Sequence, residues 1–481
     1  MSTAEETTTK QDQPFGAWVS PISSRSITAG SVRLGGLKIV PGTDEDAIYW
    51  LEGRPLEGGR NVLVKYSAKD GSMIDQTPKE TNVRTRVHEY GGAATTIVGE
   101  TVYYSEFTSQ QVYKLDLGKD ADSKPTLVTG SDTQPKEGDG PQYRYADGIF
   151  DDKRNALVCV REDHGIDGKA NPKDVVNEIV AIDVATGNAK VLVQGYDFVA
   201  APKLSNDGTE LACIVWDHPN MPWDATKLVT VSLSEDLFGE TASVGKPVVL
   251  AGQDEDTSVI QPFYHPTTGD LLYISDETGY YNLYAVSKDR SASHALLPMD
   301  VDFGGASPGW MLGQMGYSVL EDGRLAASIG RDGSSVLVVM DVTYWDMESG
   351  KPVATEEYTS KDGLPRMFGS VQGGTNGNLY FMGGDPATPS SVYRWNLATK
   401  EAATVLKSSS KVDLEASIIS TPERIEFPTT LGTAFGYYYP PKNGGYECTT
   451  EKAPPLLVKA HGGYVVFDDN ARSASSLLNI H

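Results

Sequence analysis

The sequence repeats itself. Seven short apolar runs, AIYWLEG from Ala47, TVYYSEF from Thr101, ALVCVRE from Ala156, ELACIVW from Glu210, DLLYISD from Asp270, RLAASIG from Arg324 and NLYFMGG from Asn378, begin 54, 55, 54, 60, 54 and 54 residues apart. Each is rich in β-branched, aromatic or small apolar residues, and most follow a turn signal such as Asn206-Asp207-Gly208, Asp322-Gly323 or Asn376-Gly377, the residue types that reverse a chain tightly. A second strand-like run trails each of the first, from NVLVKYS at Asn61 to SVYRWNL at Ser391. A third precedes the turn, as in AATTIV at residues 93–98 and FVAAPKLS at residues 198–205. Sheet units repeated seven times predict an all-β, seven-bladed β-propeller, because radial repetition leaves only short, protected edges. A pair of β-sandwiches also yields evenly spaced short strands, but has no reason to recur every 54 residues.

Composition narrows the function classes. The chain has 481 residues, of which 65 are acidic and 41 basic, for a formal charge of −24. Such a surplus repels phosphate backbones and anionic lipid, so neither a nucleic acid nor a membrane is expected as a partner. Residues 1–13 lack the basic start and apolar stretch of a secretion signal, and Glu5 and Glu6 argue against an organelle transit peptide; a cytoplasmic location is expected. Three cysteines, Cys159, Cys213 and Cys448, cannot all pair, and the first two sit in apolar runs where a thiol acts as a small hydrophobe. The seven histidines are scattered without zinc-site spacing, and no phosphate-binding G-K-S or G-K-T loop occurs. No metal and no cofactor are expected.

The repeat ends near Lys400. TAFGYYY at residues 433–439 reads as another strand, and LLVKA at residues 456–460 reads as a buried strand opening on His461-Gly462-Gly463. Only about 20 residues follow, too few to bury that strand, so a second domain is expected to begin here and to remain incomplete. A strand running into H-G-G is where serine hydrolases place an oxyanion loop, whose backbone N–H groups face developing charge.

Several strings point the same way: NVRTRVHEYGG at residues 82–92, WDHPNMPWD at 216–224, SDETGYYNLY at 275–284, IEFPT at 425–429 and PPLLVKAHGG at 454–463. With them the chain resembles the prolyl oligopeptidase family of serine peptidases, in its acylaminoacyl-peptidase and dipeptidyl-peptidase-like branch. The resemblance implies a propeller that gates access to an α/β-hydrolase domain, and a peptide or acyl-peptide substrate. The expected division is an N-terminal segment (1–31), the seven-bladed β-propeller (32–407) and an incomplete start of an α/β-hydrolase domain (408–481). It also implies an oxyanion loop at His461, Gly462 and Gly463. The family's nucleophile, acid and histidine belong well downstream of H-G-G, and no such triad occurs in the sequence; the chain as it stands is expected to be inactive. One G-x-S-x-G string, Gly305 to Gly309 around Ser307, lies between blades. Pro308 supplies no N–H where an oxyanion hole requires one, so a surface loop is the better reading.

Candidate substrate-binding residues are Arg84, Arg86, His88 and Glu89, which place charge beside glycines, and Trp216 and Trp223, which offer an aromatic wall. Each has a structural alternative: a network of Arg–Glu and His–backbone bonds joining adjacent blades, and an ordinary packed loop. A second function also fits the fold, a β-propeller binding module for a peptide or protein partner, since propellers host many unrelated functions.

Overall fold

The computed structural model describes residues 10–25, 30–42, 45–117, 123–130, 139–287, 290, 292–303, 309, 311–342, 353–410, 414–430, 432–450 and 453–459. Seven four-stranded antiparallel sheets follow one another along the chain. They form blades 1 (33–75), 2 (95–127), 3 (143–193), 4 (198–251), 5 (259–295), 6 (317–358) and 7 (367–408). Within each blade the strands lie side by side in chain order, lettered A to D. In blade 3, for example, A is Tyr143–Asp151, B is Ala156–Asp163, C is Val176–Asp183 and D is Ala189–Val193.

The seven apolar runs are the B strands, the trailing runs the C strands and the runs before the turn the A strands. B and C are the middle strands of each sheet, flanked by neighbouring blades on both faces. Their residues are therefore apolar on both sides: Val158, Cys159 and Val160 of blade 3 are all 1% exposed or less. Side chains from successive blades interdigitate in shared clusters, one joining Ala156, Val158 and Ile179 of blade 3 to Leu211, Cys213 and Val229 of blade 4. In these surroundings burial pushes the thiol pKa of both Cys159 and Cys213 up to about 12.

The inner A strands carry a repeated irregularity. Pairing with B slips around Gly36, Asp147, Ala201, Gln261 and Ser370, and each of these residues has a positive φ, between 52° and 58°. Such bulges bend a strand and re-aim its side chains; for a residue other than glycine the conformation costs ~1 kcal/mol or more. Part of that cost is offset by bonds the bulges make between blades. Asp147 Oδ2 accepts the Ala201 N–H at 2.8 Å, and Gln261 Oε1 accepts the Gly316 N–H at 2.6 Å.

Among the described residues, no strand is shared between the two ends of the ring. Blade 1 meets blade 7 through side chains: buried Asp46 accepts bonds from Thr375 N–H (3.0 Å), Thr375 Oγ1 (2.9 Å) and Tyr380 Oη (2.9 Å). Lys407 reaches Glu52 at 3.0 Å, and Val32 N–H donates to Ser409 O at 2.8 Å. Burial favours the neutral form of Glu52, but bonds from Lys407, Trp50 and Arg54 outweigh it and hold the carboxyl below its ordinary range.

Beyond blade 7, strands Glu423–Thr429 and Gly432–Tyr438 form a hairpin. The expected buried strand at 456–460 is not observed: residues 456–459 have no strand partner among the described residues, and Leu456, Leu457 and Val458 are 65–76% exposed. A lone extended segment gains neither ladder bonds nor burial, which is why its apolar composition alone does not make it a strand.

Candidate functional site on the connecting-loop face

An antiparallel blade places its A–B and C–D turns on one face of the ring, and its B–C turns and the connections to the next blade on the other. The second face gathers nearly every string singled out in the sequence. Residues 82–92 connect blade 1 to blade 2, residues 217–226 form the B–C turn of blade 4, and residues 276–281 that of blade 5. The C-terminal hairpin rests here too: Tyr437 Oη donates to Gly333 O at 3.4 Å and Arg424 lies 3.5 Å from Asp332, both in the B–C turn of blade 6.

Arg84 and Arg86 are two residues apart on an extended segment and so share a side. Both guanidiniums stand over the ring of Phe107, at 5.0 and 5.6 Å, in the B–C turn of blade 2. Gln110 Oε1 fixes the segment by accepting the Arg86 N–H at 2.8 Å. His88 and Glu89 follow with left-handed backbone, φ 52° and 62°, turning the chain towards blade 3. There Glu162 Oε1 accepts the His88 N–H at 2.7 Å, and Arg144 donates to Glu89 at 2.7 Å and to Arg86 O at 3.1 Å. Adjacent blades are joined here through Arg144, Glu162 and the backbone of Arg86 and His88, a different set from the Arg–Glu and His–backbone bonds expected within the string. The guanidiniums of Arg84 and Arg86 have no carboxylate at ion-pair distance among the described residues.

The His88 ring packs edge-on against Phe198 (5.4 Å) and Trp216 (5.5 Å), which stack on each other at 5.1 Å. Its Nε2 and Asn177 Oδ1 are both buried without a partner of hydrogen-bond geometry. Burial pushes the His88 pKa down, against the opposing pull of Glu162 and Asp147. Desolvation also acts on Glu162, but the bonds from His164 (2.9 Å) and from the His88 N–H prevail and hold its carboxyl below the ordinary range. Trp216 is thus a buried packing residue at 7% exposure, and Trp223, in the same turn, is half-buried.

The connection from blade 5 to blade 6 adds a feature that the sequence did not disclose. Leu312 N–H donates to Gly91 O at 2.9 Å, and residues 92 and 312 form a parallel bridge. The entry to blade 6 thereby reaches the entry to blade 2, three blades away around the ring, as a strap between them. Gly92 permits the crossing, since a Cβ there would stand 2.3 Å from Leu312 O. A cavity beneath the strap is lined by Asp147, Trp216, Pro222, Ile260, Gln261 and Met311 among others. Ser307 lies outside the described residues, as do His461, Gly462 and Gly463; Gly309, the end of the G-x-S-x-G string, packs near Pro222.

Sheet count, strand order and site define a seven-bladed propeller of the kind found in peptidases. Among solved structures, a Mycobacterium tuberculosis puromycin-hydrolyzing peptidase matches with a TM-score of 0.77 and 27% identity over 92% of this chain and 64% of that one. A puromycin hydrolase mutant complexed with PGG matches at 0.79 and 25%, over 94% and 65%. Pyrococcus horikoshii acylaminoacyl peptidase, at 12% identity and a TM-score of 0.54, shares the fold. The likeness to these peptidases supports the prolyl oligopeptidase resemblance. The chain spans slightly under two thirds of the length of the two puromycin hydrolases. Neither a protein-family model nor a curated protein matches the sequence. No helix among the described residues is long and apolar enough to cross a membrane.

Proposed function

We propose that this chain supplies the substrate-facing propeller of a serine-type oligopeptidase or aminopeptidase acting on short peptides or acyl-peptides in the cytoplasm. The observation that carries this reading is the gathering, on one face, of the 82–92 ledge, the aromatic turn at 217–226 and the C-terminal hairpin. Substrate charge is held by Arg84, Arg86 and Glu89, with Trp223 behind an apolar side chain. The propeller filters peptides by size. Residues 408–481 begin the hydrolase domain, and His461, Gly462 and Gly463 supply its oxyanion loop.

Acyl transfer to a serine needs a base to take its proton and an acid to orient that base. The sequence contains no such set, so the 481-residue protein is expected to turn over no aminoacyl or acyl-peptide chromogenic substrate. Turnover that survives Ser307→Ala and is blocked by a fluorophosphonate would overturn the assignment.

A further inference from the structure

In a chain of net charge −24, three arginines converge on one ledge. Arg84 and Arg86 flank Phe107, and Arg144 of blade 3 reaches the Arg86 carbonyl at 3.1 Å. One exposed acid, Glu89, takes an N–H of Arg144 at 2.7 Å, and Glu162 is 3.7 Å from that arginine while bonded to His164 and the His88 N–H. Neither Arg84 nor Arg86 has a carboxylate at ion-pair distance among the described residues, and Glu89 acts on Arg86 only at longer range. Donors outnumber acceptors, and the Nε–H groups of Arg86 and Arg144 are buried and unpartnered. Burial, and then the charge of Arg144, push the Arg86 pKa below the ordinary guanidinium value, against the opposing pull of Glu89.

The geometry suits one ligand chemistry. An aromatic face holds a guanidinium flat without consuming its N–H donors. The free edges then match a carboxylate, which accepts two parallel N–H bonds. Arg84 is exposed, and Arg86 and Phe107 are half-buried, so the edges are reachable from the face on which peptides are proposed to lie.

We propose that the Arg84–Phe107–Arg86 ledge, with Arg144 beside it, is a carboxylate clamp that takes the negative end of a short peptide. This rests on the peptide-binding reading above and narrows it to anionic peptides. The carboxylate is either the free C-terminus or an acidic side chain, and the two are separable.

The test is calorimetric titration of the 481-residue protein with trialanine, trialanine amide and N-acetyl-Ala-Asp-Ala amide. The free acid is expected to bind about tenfold or more tightly than its amide, because the amide leaves the guanidiniums unpaired. Arg84→Gln and Arg86→Gln are each expected to remove about that factor for the acid and leave the amide unchanged. Arg84→Lys is expected to recover only part of it, since an ammonium lacks the fork. Because Arg84 is exposed, Arg84→Gln should melt with the parent protein, which separates lost binding from lost folding. Tight binding of the acetylated aspartyl amide assigns a side-chain carboxylate; weak binding of it assigns the C-terminus. Equal binding of acid and amide would overturn the clamp but leave the peptide-binding reading intact, whereas no binding of any of the three would overturn both.

Discussion

Strand Asn378–Asp385 of blade 7 and strand Gly432–Tyr438 of the C-terminal hairpin are similar in composition and opposite in fate. Leu379, Tyr380 and Phe381 are 2% exposed or less, whereas Phe435, Tyr437 and Tyr438 are 36–59% exposed. The first strand has a hydrogen-bonded neighbour on each side and packs against blades 1 and 6. The second has one neighbour, and among the described residues it touches the ring through a few contacts with blade 6. An apolar strand thus becomes core only when something covers both of its faces.

The largest expected effect breaks this comparison if it fails. Trp50, fully buried where blades 1 and 7 meet, should cost ~3–5 kcal/mol when changed to alanine. Phe435→Ala, at an exposed site, should stay within about 0.5 kcal/mol. Urea unfolding of both variants checks this, and similar losses would contradict the burial difference.

A smaller effect concerns the closure of the ring. Asp46→Ala leaves the Thr375 N–H and Tyr380 Oη without their acceptor and should cost about 2–3 kcal/mol. Ser335 Oγ, which bonds Phe368 N and O at the regular boundary between blades 6 and 7, should cost about 1 kcal/mol on change to alanine. Equal losses would show that the closure between blades 7 and 1 is no more dependent on side chains than an ordinary boundary.

Acidification gives a third test. His88 is held neutral in the fold by burial, with its pKa below the ordinary value of about 6.5. The unfolded chain therefore takes up a proton that the fold refuses. Stability should fall as pH drops from about 6.5 towards the folded pKa, and the fall should stop below it. Glu162, whose pKa is depressed, adds a loss only below the ordinary carboxyl range of about 4–4.5. His88→Asn, which tolerates the left-handed backbone, should flatten the first limb in melts between about pH 7 and pH 5. An unchanged limb would reject His88 as its source.

The smallest effect is on solubility. The exposed Phe427, Phe435 and Leu456 leave apolar surface and a sheet edge open, a recognised route to association. A chain ending at Lys407 should be more soluble and bind less hydrophobic dye than the full 481 residues. Equal dye binding would mean that this surface is covered.

The B and C strands were legible because burial on both faces demands apolar residues throughout, and the turns between A and B carry Asn, Asp and Gly. The D strands were not legible: Thr126–Leu127 and Ser293–Ala295 have two and three residues at the outer rim, where water satisfies the free edge and composition is unconstrained. At the site, Arg84, Arg86, His88 and Glu89 were visible as a charged string. Phe107 and Arg144 were not, because Phe107 ends an ordinary strand run and Arg144 lies among blade 3 residues with nothing to distinguish it.

The sequence by itself determined the sevenfold ring, since a 54-residue period of buried strands has few ways to hide its edges. Tertiary structure decided what the period cannot encode: the bulged inner strands, the Asp46 closure, the strap from Leu312 to Gly91 and the meeting of three arginines around Phe107. These join residues that are distant in the chain, so they follow from how the blades lie against one another and from no local pattern of residues.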